Sequence, residues 1–149
     1  MKKILATMLL LAFLAPFIVA QARETHSFDF IKPTAIASIA SLGTATNGVE
    51  FTSEDIILTD DVVVLFGKCT IASANGEDIV FSYQASYDDG VTWTTDAFCT
   101  VTIPSVTGTM IRGEEKLCAG VRRLRLWTVY NGDAVTAITT VNSTASMER

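Results

Sequence analysis

The sequence predicts an all-β protein: an antiparallel β-sandwich, jelly-roll or immunoglobulin-like, preceded by an N-terminal hydrophobic helix. Three features predict it. Beyond residue 22 the clearest apolar patterns recur with the period of two that a half-buried strand requires. Turn dipeptides, Asn47-Gly48, Asn75-Gly76 and Asp89-Gly90, punctuate the chain at short intervals. No amphipathic helix of useful length follows residue 22, and no repeat is long enough for a propeller or solenoid.

The elements follow in chain order. Ser27 to Ile31 alternates weakly, as a first short strand would, and Ala35 to Ala40 suits a helical turn or a strand. Leu42 to Gly48 reads as a loop. Asp61 to Ile71 carries Val62, Val63, Val64, Leu65 and Phe66, apolar on both faces as in a central strand. Ile79 to Tyr87 alternates most clearly, with Ile79, Phe81, Tyr83, Ala85 and Tyr87 on one side. Asp89-Gly90 predicts a tight hairpin whose return runs from Val91 to Ile103, closed by Pro104. Residues 105 to 120 read as loop, with a short strand near Met110 and a helical turn over Glu114 to Cys118. Val121 to Tyr130 is a strand with Leu124, Leu126 and Thr128 on one face and Arg123, Arg125 and Trp127 on the other. Asn131-Gly132-Asp133 turns the chain, Ala134 to Asn142 returns, and Ser143 to Arg149 is a polar tail.

Two domains of behaviour are expected within the 149 residues. Lys2 and Lys3, the apolar run Ile4 to Ala20 and the small residues Ala20 and Ala22 have the order of a secretory signal cleaved after Ala22. The alternative is a retained membrane anchor over residues 4–20, at the lower edge of a bilayer span. Residues 23–149 form the single domain, and the localisation is secreted, periplasmic or cell-surface, with a virion as the alternative. Removing the two lysines takes the net charge from -5 to -7, which disfavours bulk electrostatic binding of nucleic acid or anionic lipid. Cys69, Cys99 and Cys118 allow three disulfide pairings between which spacing cannot choose. The lone histidine, His26, and the absence of a paired C-x-x-C leave no metal site expected.

Ser86-Tyr87-Asp88-Asp89-Gly90-Val91-Thr92-Trp93 is the most specific local pattern. It fits S-x-D-x-G-x-T-W and resembles the Asp-box of sialidases, a structural hairpin device. Asp88 can accept hydrogen bonds from the turn's own backbone, Gly90 supplies a positive φ, and Trp93 can fold back as a plug, so Ser86, Asp88, Gly90, Thr92 and Trp93 are expected to be structural. The chain is too short for the several blades of a sialidase propeller. The acidic pairs Asp60-Asp61, Glu77-Asp78 and Asp88-Asp89 flank turns and read as solvated, with calcium the sharper alternative. Arg123, Arg125 and Trp127 form a basic, aromatic strand face: a solvated surface, a subunit contact or a glycan platform. Asn142-Ser143-Thr144 is a glycosylation sequon. No nucleophile has a credible partner, so no catalytic residue and no cofactor is assigned.

Residues 33 to about 142 resemble small β-sandwich structural proteins of tailed bacteriophages and prophages. The resemblance rests on the Gly43 to Gly48 loop, the Val62 to Phe66 strand, the strand-turn-strand from Ser82 to Trp93, and the Val121 to Leu126 strand. It implies a virion or structural component without enzymatic activity, and the leading expectation is a module that associates with protein partners, chiefly itself, by edge-strand or face contacts. The alternative is a secreted module that binds a glycan or other ligand. N-terminal sequencing of the exported protein is expected to begin at Arg23; a start at Met1 or Lys2 overturns the signal reading.

Overall fold

A computed structural model describes residues 25–31, 36–59, 61–74 and 76–148. The expected N-terminal helix, the cleavage point, Asp60 and Asn75 lie outside these residues. Ten strands are described: β1 (Thr25–Asp29), β2 (Ser38–Ile39), β3 (Thr44–Thr46), β4 (Ile56–Ile57), β5 (Val62–Ile71), β6 (Gly76–Ser86), β7 (Cys99–Ile103), β8 (Gly108–Leu117), β9 (Arg123–Asp133) and β10 (Ile138–Glu148). One antiparallel sheet runs β1-β10-β5-β8, with β2 also on β10; the second runs β3-β9-β6-β7, with β4 also on β9. The pairs β1 with β10, β3 with β9, β5 with β8 and β6 with β7 are nested, as in one long hairpin rolled into two layers. That wiring is the jelly-roll alternative rather than the immunoglobulin-like one.

Period-two burial builds the layers. β5 buries Val63, Leu65, Cys69 and Ile71, β6 buries Ile79, Phe81, Tyr83 and Ala85, and β9 buries Leu124, Leu126 and Val129. These side chains meet in one core between the sheets. The layers interlock where Gly67 of β5 leaves room for Phe81 of β6: a Cβ at Gly67 would stand 2.8 Å from the Phe81 ring. The core also holds a polar link. The hydroxyls of Tyr83 on β6 and Ser143 on β10 are 2.7 Å apart and buried, and Phe30 packs on the Tyr83 ring at 5.3 Å. Burial pushes the Tyr83 phenol well above its ordinary range, so it stays neutral.

Several sequence expectations are corrected. Residues 108–117 are a ten-residue strand, not loop and helical turn, because every residue from Gly108 to Leu117 pairs with β5. The polar tail is strand as far as Glu148: Ser143 is buried by its bond to Tyr83, and Met147 also points inward. Thr44 to Thr46 inside the expected loop pair with β9, and within the stretch expected as a helical turn or strand Ser38–Ile39 is strand, while Ala35 lies outside the described residues. Thr128 does not share a face with Leu126. A register shift opposite Ser82 and Tyr83 of β6 puts an extra residue into β9, so Trp127 and Thr128 both lie half-buried on the outer side. Asn131-Gly132-Asp133 is still strand. Gly132 is required by close approach, since a Cβ there would sit 2.5 Å from the Asp78 carbonyl oxygen. The Asn131 amide donates to the carbonyls of Ile39, Ala40 and Thr136, and the Asp133 carboxylate accepts from Val135 N–H, Thr136 N–H and Ser105 Oγ. The sequon lies in β10, with Asn142 opposite Lys68, rather than on an exposed loop.

Tyr83→Phe strands the buried Ser143 hydroxyl and is expected to cost about 1–3 kcal/mol in urea unfolding at unchanged m-value. Combining it with Ser143→Ala should recover part of the loss. Equal stability of Tyr83→Phe and the parent would show that the link contributes nothing.

Candidate interaction surface

The outer face of the β3-β9-β6-β7 sheet carries the residues singled out from sequence. β9 and β6 place Arg125 opposite Gln84 and Arg123 opposite Ser86. Nε and Nη2 of Arg125 both donate to Gln84 Oε1, at 3.1 and 2.8 Å, and its guanidinium lies 4.2 Å above the Trp93 ring. Gln84 Nε2 in turn donates to the Thr94 carbonyl, which ties the loop down. Burial lowers the Arg125 pKa, opposed by the nearby Asp55 carboxylate. Arg123 Nη1 donates to Asp55 Oδ2 at 2.8 Å, while its Nε is buried with no hydrogen-bond partner. Arg122 pairs with Asp89 at 2.8 Å in an exposed position worth at most about 1 kcal/mol. Thus Arg123, Arg125 and Trp127 do share one outer face, but the two arginines are engaged within the chain. Trp127, half-buried at the bulge, has its carbonyl bonded to the Asn47 N–H.

The S-x-D-x-G-x-T-W segment is a locked loop. Asp89 and Gly90 have φ of 58° and 92°, the paired positive values of the predicted turn, and Val91 N–H reaches back to the Asp88 carbonyl at 3.4 Å. The chain then does not zip into a hairpin: the paired return begins only at Cys99, not Val91. The physical reason is the Asp88 carboxylate, which takes over the local backbone. It accepts from Thr92 N–H at 2.8 Å, Thr92 Oγ1 at 2.7 Å and Ser86 Oγ at 2.8 Å, and Ser86 Oγ accepts from Gly90 N–H at 2.8 Å. Trp93 folds back to the turn, 3.7 Å from where a Gly90 side chain would start, and stacks under Arg125. Gln84 and Asp55 complete this cluster. Neither stands out in sequence, because a buried glutamine on an alternating strand reads as solvent-facing and Asp55 reaches Arg123 only across the sheet edge.

The opposite sheet shows a second surface. Register sets Val62 beside Leu117, Phe66 beside Gly113 and Lys68 beside Ile111 on its outer side. Leu117 is 71% exposed and Ile111 63%, and Phe66, Lys68, Ile111, Asn142 and Thr144 line a shallow cavity of about 240 Å³. A third feature is a groove of about 420 Å³ between the β1 and β4 edges, with His26, Phe28, Ile56, Ile57 and Met147 on its walls. No group of three or more His, Cys, Asp or Glu side chains converges on a metal-sized site among the described residues. No helix among them is long and apolar enough to cross a membrane.

Hydrogen bonds from Thr92 and Ser86 hold the Asp88 carboxyl at about 2, below its ordinary 3.8. The loop is therefore fully supported above the unfolded value near 3.8 and loses that support as pH falls through about 2. NMR titration of Asp88 should show the lowered midpoint, and Asp88→Asn should remove this acid-dependent part of the stability profile. An Asp88 midpoint near 3.8 would contradict the locked geometry.

No protein-family model matches the chain, and no curated protein matches it. Among solved structures, it is similar to a chain described under "Bacillus endospore appendages form a novel family of disulfide-linked pili", with 12% identity over 85% of this chain and 87% of that one, and a TM-score of 0.33. It is also similar to "Family 16 Carbohydrate Binding Module-2", with 10% identity over 87% of this chain and 86% of that one, and a TM-score of 0.37.

Proposed function

We propose that the protein is a non-enzymatic structural module, a virion or surface component, that associates with further copies of itself along β8. The observation that carries this reading is the β8 edge. β8 is ten residues long, is bonded to β5 on one side and has no strand on the other among the described strands. A strand of that length presents a row of backbone donors and acceptors to any chain that can lie beside it. Beside this edge, the outer face of the sheet carries Val62, Val64 and Phe66 of β5 and Ile111 and Leu117 of β8, where an isolated domain would be expected to place polar residues.

A second copy suits this edge by charge. Two β8 strands paired antiparallel about Gly113 would set Arg112 of each against Glu114 of the other, twice across one two-fold axis. In the single chain Glu114 is already held below its ordinary value, chiefly by its bond to Lys116 at 2.7 Å, with Arg112 adding a favourable field. The glycan alternative would use the Trp127 face, but there Arg125, Gln84 and Trp93 already satisfy one another.

The full chain should sediment as a concentration-dependent dimer or larger species. Ile111→Lys with Leu117→Lys should weaken association at least about tenfold, about 1.4 kcal/mol, with the far-UV circular dichroism unchanged. A protein that stays monomeric at all accessible concentrations overturns the assembly reading. A monomer that binds immobilised glycans, and loses them on Trp127→Ala, replaces it with the glycan reading.

A further inference from the structure

We propose that Cys99 and Cys118 form an intrachain disulfide that clasps the two sheets together along one flank, leaving Cys69 as a free buried thiol. β7 and β8 are the edge strands of different sheets and follow each other in the chain, joined by residues 104–107. They face each other across the layer boundary: Thr102 N–H donates to Glu114 Oε1 at 3.3 Å. The strands run in opposite directions, so three residues back from Thr102 is Cys99, and three to four forward from Glu114 are Leu117 and Cys118. The two cysteines therefore reach the same end of the flank. Cys118 is held there by its N–H to the Asp61 carbonyl and by its own carbonyl, which accepts from Val121 N–H at 2.9 Å. Its side chain is buried, and Cys99 packs against the same core.

Cys69 is excluded by register. It pairs with Met110, whereas the end of β8 at Leu117 pairs with Val62. The separation is seven residues, about 23 Å along the strand, far beyond the roughly 7 Å limit on Cα atoms of a disulfide. Cys99 lies toward that same end, with Glu114, Lys116 and Cys118 as its ionisable neighbours and Cys69 not among them. Of the three pairings open to the sequence, the fold leaves one.

The thiols are free in the structure, and burial raises them, Cys99 to about 12 and Cys118 to about 11; the electrostatic effect of Cys118 on Cys99 fits their proximity. Few thiolates are present in the closed state, so the bond forms as the chain folds or when the β7 edge opens. With a low-molecular-weight disulfide such as oxidised glutathione as oxidant, the Cys99 thiolate attacks one glutathione sulfur and the other glutathione leaves as its thiolate. The Cys118 thiolate then attacks the Cys99 sulfur, the mixed disulfide breaks and the second glutathione leaves. Two protein thiols lose two electrons and two protons, and one oxidised glutathione becomes two reduced molecules.

The test is to refold the full chain in an oxidised/reduced glutathione buffer, alkylate free thiols and map peptides without reduction. Trypsin alone leaves Cys69 and Cys99 in one peptide, so a second cut after Glu77 is needed. The expected result is a Cys99 peptide joined to the Leu117–Arg122 peptide, the pair lighter by two hydrogens, with Cys69 alkylated. Dithiothreitol should lower the thermal midpoint of the parent and of Cys69→Ser but not that of Cys99→Ala. A bridge involving Cys69, predominantly interchain disulfides, or three alkylated cysteines after oxidative refolding would each overturn the proposal. Mapping the parent chain decides the matter even if a cysteine variant fails to fold.

Discussion

The buried pair of hydroxyls on Tyr83 and Ser143 sets the terms for the rest of the molecule. Each would be costly to desolvate alone, and each sits on an interior strand of a different sheet. Their bond fixes how β6 lies against β10 in height and direction. Apolar side chains around it can slide or repack at modest cost, but a polar pair in a dry core has one satisfied arrangement. Gly67 and Phe81 enforce the same alignment by shape. The outward residues inherit it: once β6 is placed, Gln84 faces Arg125, and the Asp88 loop must cross above them.

The fold class and the inner faces of the strongest strands were legible in the sequence because they follow from alternation alone. Ile79, Phe81, Tyr83 and Ala85 needed no tertiary knowledge to be placed inward. β8 was hidden for a physical reason. It is an edge strand with one neighbour, so charges such as Arg112, Glu115 and Lys116 cost it little, and its pattern looks like loop. The end of β10 was hidden because Ser143 is a polar residue satisfied by a partner sixty residues away. The bulge in β9 that turns Thr128 outward depends on β6 and leaves no local mark. At the surface, Gln84 and Asp55, which engage Arg125 and Arg123, come from other elements and leave no mark beside them in the sequence.

The two flanks of the sandwich differ in kind. On one side β7 and β8 close against each other, with Glu114 bridging the layers and two thiols at one end. On the other, β1 and β4 stand apart, and the groove between them exposes Phe28 and Ile57 beside the carboxylates Asp29, Glu54 and Asp55. The asymmetry follows from wiring. β7 and β8 are consecutive and share a four-residue link, whereas β1 and β4 are separated by two short strands that pair elsewhere.

The nested strand order also governs when the protein can come into being. The first sheet is completed only by β10, which inserts between β1 and β5, and the second depends on β9 between β3 and β6. Until those C-terminal strands have left the ribosome, β1 lacks its neighbour and the Tyr83 hydroxyl lacks its partner. Nearly all the pairing is long-range in sequence, so folding is late and slow compared with a chain of local hairpins. A ribosome that stops short of the last eleven-residue strand therefore releases a product whose first sheet is split, with β1 unpaired and β5 open on the side that β10 would fill, so the inner face of the second sheet loses part of its cover.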